Sequence, residues 1–206
     1  MTPRLIILLH GVGSSAADMA PFAAALAETT GAEAIALDGP EAFDMSPSGR
    51  QWFSVRGVTE AGRPARVARA LPALLATIED LRIQRGLQEH EVSLAGFSQG
   101  AILALAAAAG GASFGSVIAV AGRLAAPVMP ATADVPKIAF LHDRLDPVMP
   151  IALAREARTV FADAGYATEA VESEGYGHSI GPVTLRAAIR FLNGAGETIN
   201  QRKTMS

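Results

Sequence analysis

A chain of 206 residues that is 50% hydrophobic and 18% charged is long enough for one well-buried α/β core and short for two, so residues 1–206 read as one domain. Its net charge of −3, with no run of Lys or Arg, argues against nucleic acid and anionic membrane surfaces and leaves a small molecule as the expected partner. The absence of cysteine removes disulfides, thiolate metal sites and cysteine nucleophiles together.

The first element in chain order is the apolar run Leu5-Ile6-Ile7-Leu8-Leu9, bounded by Pro3 and Gly11, which reads as a strand buried on both faces of a parallel sheet. A single positive charge precedes it and the run is too short for a signal peptide. No segment reaches the roughly 18 apolar residues of a membrane span, so cytoplasmic residence is the expectation. A glycine-bearing loop, His10-Gly11-Val12-Gly13-Ser14-Ser15, leads into a helix over 18–28, where Met19, Phe22, Ala23 and Leu26 recur at helical spacing. Residues 34–37 read as a second strand ending at Asp38-Gly39-Pro40. Between 39 and 64 the chain is rich in Gly and Pro and holds the only tryptophan, in Gly49-Arg50-Gln51-Trp52-Phe53-Ser54. An irregular segment of that length in a compact domain is more often functional than idle. Trp52 and Phe53 either wall a pocket or simply cover the core.

A long amphipathic helix follows over 64–85, with Val67, Leu71, Leu74, Leu75, Ile78 and Leu81 on one face. Then comes the stretch that organises the chain. The apolar strand beginning at Val92 runs into Gly96-Phe97-Ser98-Gln99-Gly100 and on into an Ala- and Leu-rich helix over 102–109. This is the sequence form of a nucleophile elbow, in which the chain reverses within one residue and holds the serine in a strained conformation at the mouth of a helix. Gly96 and Gly100 are required because a Cβ at either position would strike neighbouring backbone. Two further buried strands, 116–120 and 137–141, are separated by a Pro-rich loop. The second ends in His142-Asp143-Arg144-Leu145-Asp146-Pro147. A helix over 151–164, a last strand over 168–171, the loop Gly175-Tyr176-Gly177-His178-Ser179 and a final helix over 184–192 complete the alternation, and the polar tail 195–206 is expected to fray.

In an open parallel sheet the reactive groups gather outside the carboxyl ends of the strands, and Val12, Ser98, Asp146 and His178 all fall there. A serine hydroxyl needs a base to take its proton and a carboxylate to orient that base. His178 lies in a glycine-flanked loop beyond the last strand, free to fold back over Ser98. His10 and His142 lie at strand ends, His142 with an expected structural hydrogen bond, and His90 lies in a charged turn. Asp146 is the expected carboxylate, with Asp143 in reserve. The backbone N–H groups of Val12 and Gln99 are the expected oxyanion donors. No His/Asp/Glu group has metal-ligand spacing, and neither a metal nor a cofactor is expected.

These residues carry a resemblance. Leu9-His10-Gly11-Val12-Gly13, Gly39-Pro40, Trp52-Phe53, Gly96-Phe97-Ser98-Gln99-Gly100-Ala101, His142-x-x-x-Asp146-Pro147-x-x-Pro150 and Gly177-His178 together resemble the phospholipase/carboxylesterase family, over essentially residues 5–192. The resemblance implies an α/β-hydrolase core without a large cap, a Ser98/Asp146/His178 triad, Val12 and Gln99 as oxyanion donors, and hydrolysis of carboxylic or thio-esters. Ser14 stands where the family often has Asp, and Asp143 where a Gly usually follows the strand-end His.

The expected activity is a serine carboxylic-ester hydrolase acting on short-to-medium acyl esters, since aromatics are few and no lid insertion is visible. An acyl-thioesterase or lysophospholipase using the same site is the alternative. Two other classes have a sequence basis: a dinucleotide-binding protein using Gly11, Gly13 and Asp38, and a non-catalytic binder on the same scaffold. A homodimer through exposed apolar loop residues is compatible with the sequence.

Overall fold

A computed structural model describes residues 3–194; the expected frayed tail, 195–206, lies outside them. Six strands form one parallel sheet in the order β2-β1-β5-β6-β7-β8: β1 (Leu5–Leu9), β2 (Glu33–Leu37), β5 (Val92–Phe97), β6 (Ser116–Val120), β7 (Lys137–Asp143) and β8 (Thr168–Ser173). Between β2 and β5 a two-strand antiparallel hairpin, β3 (Glu41–Ala42) and β4 (Arg50–Gln51), interrupts the segment that reads as irregular in sequence. Its strands are two residues long, too short to leave a periodic signature.

The alternation of side chains along each strand sorts the core into two layers. Leu5, Ile7, Leu9, Leu94, Val117 and Phe140 face one side, where α2 (Arg63–Gln84), α3 (Gln99–Ala109) and α4 (Ile151–Asp163) pack. Ile6, Leu8, Ala95, Ile118 and Leu141 face the other, against α1 (Ala16–Thr30) and α5 (Pro182–Leu192). All five residues of β1 are fully buried because each face meets a helix layer. Every residue of α3 is buried as well. Its run of alanines lets it lie close against β5 and β6 beneath α2, and with methyl groups on every side it has no polar face to present.

The winding places the site. From β1 the chain steps outward to β2 by way of α1 on one face, whereas from β5 it steps the other way to β6 by way of α3 on the opposite face. The sheet therefore changes direction between β1 and β5, and the loops leaving these two strands splay apart to open a crevice. The loop after β1 carries Val12, and the turn after β5 carries Ser98.

Helix boundaries extend past the sequence expectation at two places that bear on the site. α1 begins at Ala16, capped by the Ser15 hydroxyl, which accepts the N–H of Asp18 at 3.4 Å. α3 begins at Gln99, directly after the nucleophile position.

Candidate active site

Ser98 adopts φ 51° and ψ −112°, one of two non-glycine residues with positive φ among those described. The strain is held by closely packed backbone. A Cβ on Gly96 would lie 2.4 Å from the Gly100 carbonyl carbon, and one on Gly100 would lie 2.2 Å from the Leu9 carbonyl oxygen. Strand β1, strand β5 and the start of α3 thus touch backbone to backbone. The N–H of Ser98 donates to Val120 O at 2.9 Å, which ties the turn to β6 as well.

The structure brings Ser98, His178 and Asp146 together. Ser98 Oγ lies 2.9 Å from His178 Nε2, and His178 Nδ1 lies 2.7 Å from Asp146 Oδ2. Asp146 Oδ1 accepts the N–H groups of Val148 and Met149, each at 2.8 Å. With Oδ1 satisfied by backbone, Oδ2 is turned to the imidazole, so Nδ1 carries the proton and Nε2 presents its lone pair to the serine. Burial pushes the Asp146 carboxyl up, but the hydrogen bonds from Met149, His178 and Val148 outweigh it and hold the group below the usual carboxylate range. The His178 ring also packs on Phe97, with centroids 5.0 Å apart.

Asp143, three residues before Asp146, takes a different part. Its Oδ2 accepts the Ser173 hydroxyl and the Tyr176 N–H, each at 3.0 Å, and its Oδ1 accepts the Leu145 N–H at 3.0 Å. Burial raises this carboxyl, and the N–H groups of Tyr176 and Leu145 and the Ser173 hydroxyl bring it below its ordinary value. It does not reach His178; it anchors the loop that carries it. His142 makes the expected structural bond, its Nε2–H donating to Met149 O at 2.7 Å.

The N–H groups of Val12 and Gln99 find no protein acceptor among the described residues. Gln99 is the first residue of α3, where a helix leaves its N–H free. The loop that carries Val12 is fixed from both sides. The N–H of Gly13 donates to Arg50 O at 2.8 Å, and the N–H of Arg50 donates to Ser14 O at 2.7 Å. The Arg50 guanidinium in turn donates to the carbonyls of Gly39 and Pro40, each at 2.8 Å. His10 closes the arrangement: its Nδ1–H donates to Gly11 O at 2.6 Å and its Nε2 accepts the Gly39 N–H at 2.9 Å. Burial lowers the His10 pKa, in keeping with a neutral ring that must accept a hydrogen bond. Arg50 escaped the sequence reading because its partners belong to two other loops and no local pattern marks them.

Trp52 and Phe53 separate. Phe53 lines a cavity of about 700 Å³ beside Ser98, together with Val55, Val58, Ile102, Met149 and Leu153. Trp52 does not line it: its indole N–H is turned to His10 O, donating at 2.9 Å. The Gln99 side chain braces the same stretch, its Oε1 accepting the Trp52 N–H at 2.9 Å and its Nε2 donating to Phe53 O at 2.7 Å.

The residues of the dinucleotide reading are otherwise engaged. A Cβ on Gly11 would meet Phe97 at 3.0 Å and Ser98 at 3.2 Å, so this glycine serves the approach of the loop to the elbow. Asp38 accepts the Ala16 N–H at 2.7 Å, occupying the helix start where a pyrophosphate would bind. No group of three or more His, Asp or Glu with the geometry of a metal site occurs among the described residues, and none of their helices is long and apolar enough to cross a membrane.

Comparison with known proteins agrees with this geometry. Residues 2–195 match the phospholipase/carboxylesterase family. The chain is 34% identical to esterase YpfH of Escherichia coli (strain K12) over 191 residues, covering 92% of this chain and 82% of that protein. Among solved structures, esterase PE8 superposes with a TM-score of 0.82 at 28% identity, over 94% of this chain and 93% of that one. Arabidopsis thaliana SOBER1 superposes with a TM-score of 0.75 at 23% identity over 93% and 98%, a likeness of fold. The six-stranded parallel sheet with helices on both faces and no large cap is an α/β-hydrolase fold, and the chain belongs to the phospholipase/carboxylesterase family.

Proposed function

We propose that this protein is a serine carboxylic-ester hydrolase that works through an acyl-enzyme on Ser98. The observation that carries the reading is the continuous chain of hydrogen bonds from Asp146 Oδ2 through the His178 ring to Ser98 Oγ, at 2.7 and 2.9 Å. In the first half-reaction His178 Nε2 takes the Ser98 proton as Oγ attacks the ester carbonyl, then returns it to the departing alkoxide. Asp146 stays ionised and stabilises the imidazolium formed between these steps. The N–H groups of Val12 and Gln99 stabilise the tetrahedral oxyanion; losing one such donor typically costs about 3 kcal/mol of transition-state stabilisation. Water then attacks the acyl-enzyme with His178 as base, releasing the acid and restoring Ser98.

The open apolar cavity beside Ser98 and the absence of a cap support short-to-medium acyl esters. A thioester or lysophospholipid would use the same steps with another leaving group. The test is intact mass after treatment with a fluorophosphonate, with Ser98→Ala alongside. One stoichiometric adduct on the wild type and none on the variant is the expected result, followed by a p-nitrophenyl ester chain-length series. Turnover left intact in Ser98→Ala overturns the proposal.

A further inference from the structure

The cavity beside Ser98 has a cationic wall that none of the hydrolytic steps uses. Arg63 and Arg123 both line it, and Glu60 lies between them. Arg123 grips the carboxylate with both terminal nitrogens, Nη1 donating to Oε1 at 3.0 Å and Nη2 donating to Oε2. Arg63 shares the same carboxylate through one contact, Nη2 to Oε1 at 3.1 Å. Two guanidinium groups on one carboxylate leave a surplus of one positive charge. A guanidinium has five N–H donors, so Arg63 keeps most of its capacity.

Three further observations bear on that surplus. The side chains of Arg63 and Arg123 are each 16% exposed whereas that of Glu60, which lines the same cavity, is 68% exposed, so the cations are sunk in the wall and their counter-ion is the solvated, screened member of the cluster. Arg63 is the first residue of α2, whose first turn contains no acidic residue and whose N-cap, Gly62, makes no side-chain cap, so the helix end adds to the positive potential. The Nε atoms of both arginines are buried without a partner. Glu156 lines a neighbouring cleft that Arg123 also borders, and it pairs with neither arginine. In a chain of net charge −3, positive charge gathered in the wall of a half-enclosed apolar cavity is costly unless an anion answers it.

We propose that this cavity selects esters carrying a carboxylate in the part of the substrate that occupies it, with Arg63 and Arg123 as the specificity-determining pair. The chemical class is the half-ester of a dicarboxylic acid, or the ester of a carboxylate-bearing alcohol. This inference rests on the esterase reading above and refines it. The reacting atoms are untouched by the arginines; they act on binding, so their effect falls on KM rather than kcat.

The experiment compares matched pairs. Monomethyl adipate and methyl hexanoate differ by a terminal carboxylate on the acyl side, and 4-carboxyphenyl butyrate and p-tolyl butyrate by one on the alcohol side. Each pair is measured on wild type, Arg63→Gln and Glu60→Gln, with fluorophosphonate labelling of Ser98 as the control for an active site. In at least one pair the wild type prefers the charged ester. Arg63→Gln reduces that preference roughly tenfold through KM, the charged ester losing far more than the neutral one. Glu60→Gln, which removes the counter-ion, increases it. A cluster that only staples the 54–63 segment would give the opposite pattern, both variants damaging charged and neutral esters alike, and that result overturns the inference. So does a wild-type preference for the neutral member of both pairs. Failure of the esterase reading itself looks different, because no ester is then turned over and Ser98 is not labelled.

Discussion

Asp143 Oδ2 accepts the backbone N–H of Tyr176 at 3.0 Å, so a carboxylate at the end of β7 holds the loop that carries His178 two residues later. The same oxygen accepts the Ser173 hydroxyl at the end of β8, so one anchor holds both the strand end and the segment that leads to His178. A glycine at this position, as is usual in the resembling family, would offer no acceptor. Position 143 therefore governs how firmly the imidazole is aimed at Ser98.

Asp143→Gly should lower kcat by roughly tenfold to a hundredfold, since misplacing a reacting group by about 1 Å has effects of that size. Asp143→Asn should fall between the variant and wild type, because one amide oxygen can serve only one of the two sides now held. Steady-state kinetics with the rate of fluorophosphonate labelling reads this directly. Equal kcat in wild type and Asp143→Gly would remove the positioning role.

Gln99→Ala removes the partner of two buried backbone groups, the Trp52 N–H and the Phe53 carbonyl. An unsatisfied buried polar group costs about 1–3 kcal/mol, so the variant should lose roughly 2–4 kcal/mol of stability and, at this chain length, about 4–16 °C in Tm. Thermal unfolding followed by circular dichroism provides the measurement, and an unchanged Tm would mean that water replaces the amide.

Gly100→Ala should be severely destabilising, about 3 kcal/mol or more, because its Cβ would sit 2.2 Å from Leu9 O and 2.5 Å from Leu9 C, backbone of the central strand that cannot give way. Gly110→Ala, at the far end of the same helix, is the control. Its φ is −78° and the nearest atom to an added Cβ is 3.5 Å away, so stability should change by no more than about 0.5 kcal/mol. Urea denaturation of the two variants separates close backbone approach from any general intolerance of α3.

Protonation of His10 should weaken the fold at mildly acidic pH. Burial lowers its pKa in the native state, so below the unfolded value of about 6.5 the unfolded chain binds the proton more readily. The stability contributed by the neutral ring is thus complete above about pH 6.5 and is lost progressively as pH falls toward the native pKa. The buried carboxylates Asp143 and Asp146, whose pKa values are also lowered, act in the same direction but only below their unfolded value of about 3.9. Unfolding free energy measured between pH 7 and pH 5 should decline for wild type and decline less for His10→Gln. Parallel pH profiles would assign the loss to other groups.

The sequence by itself determined the parts of this protein that depend on local pattern. Leu5 to Leu9 is apolar throughout because a strand with helices on both faces has no polar side, and the backbone period makes that visible in five residues. Gly96-x-Ser98-x-Gly100 is legible for the same reason: the steric demand of the turn falls on residues within the motif. His178 could be placed beyond the last strand from chain order alone. What only the tertiary structure decided were choices among near neighbours and contacts between distant segments. Asp143 and Asp146 share one loop and one chemistry, and only packing shows that one turns to Tyr176 and the other to the imidazole. Trp52 and Phe53 are adjacent and both buried, and only the folded chain shows that the Trp52 indole braces the His10 loop while Phe53 lines the cavity beside Ser98. Arg63 and Arg123 stand 60 residues apart and meet at Glu60 because the end of β6 and the start of α2 converge beside the crevice. Local periodicity carries no information about such meetings; they are set by which strands become neighbours in the sheet.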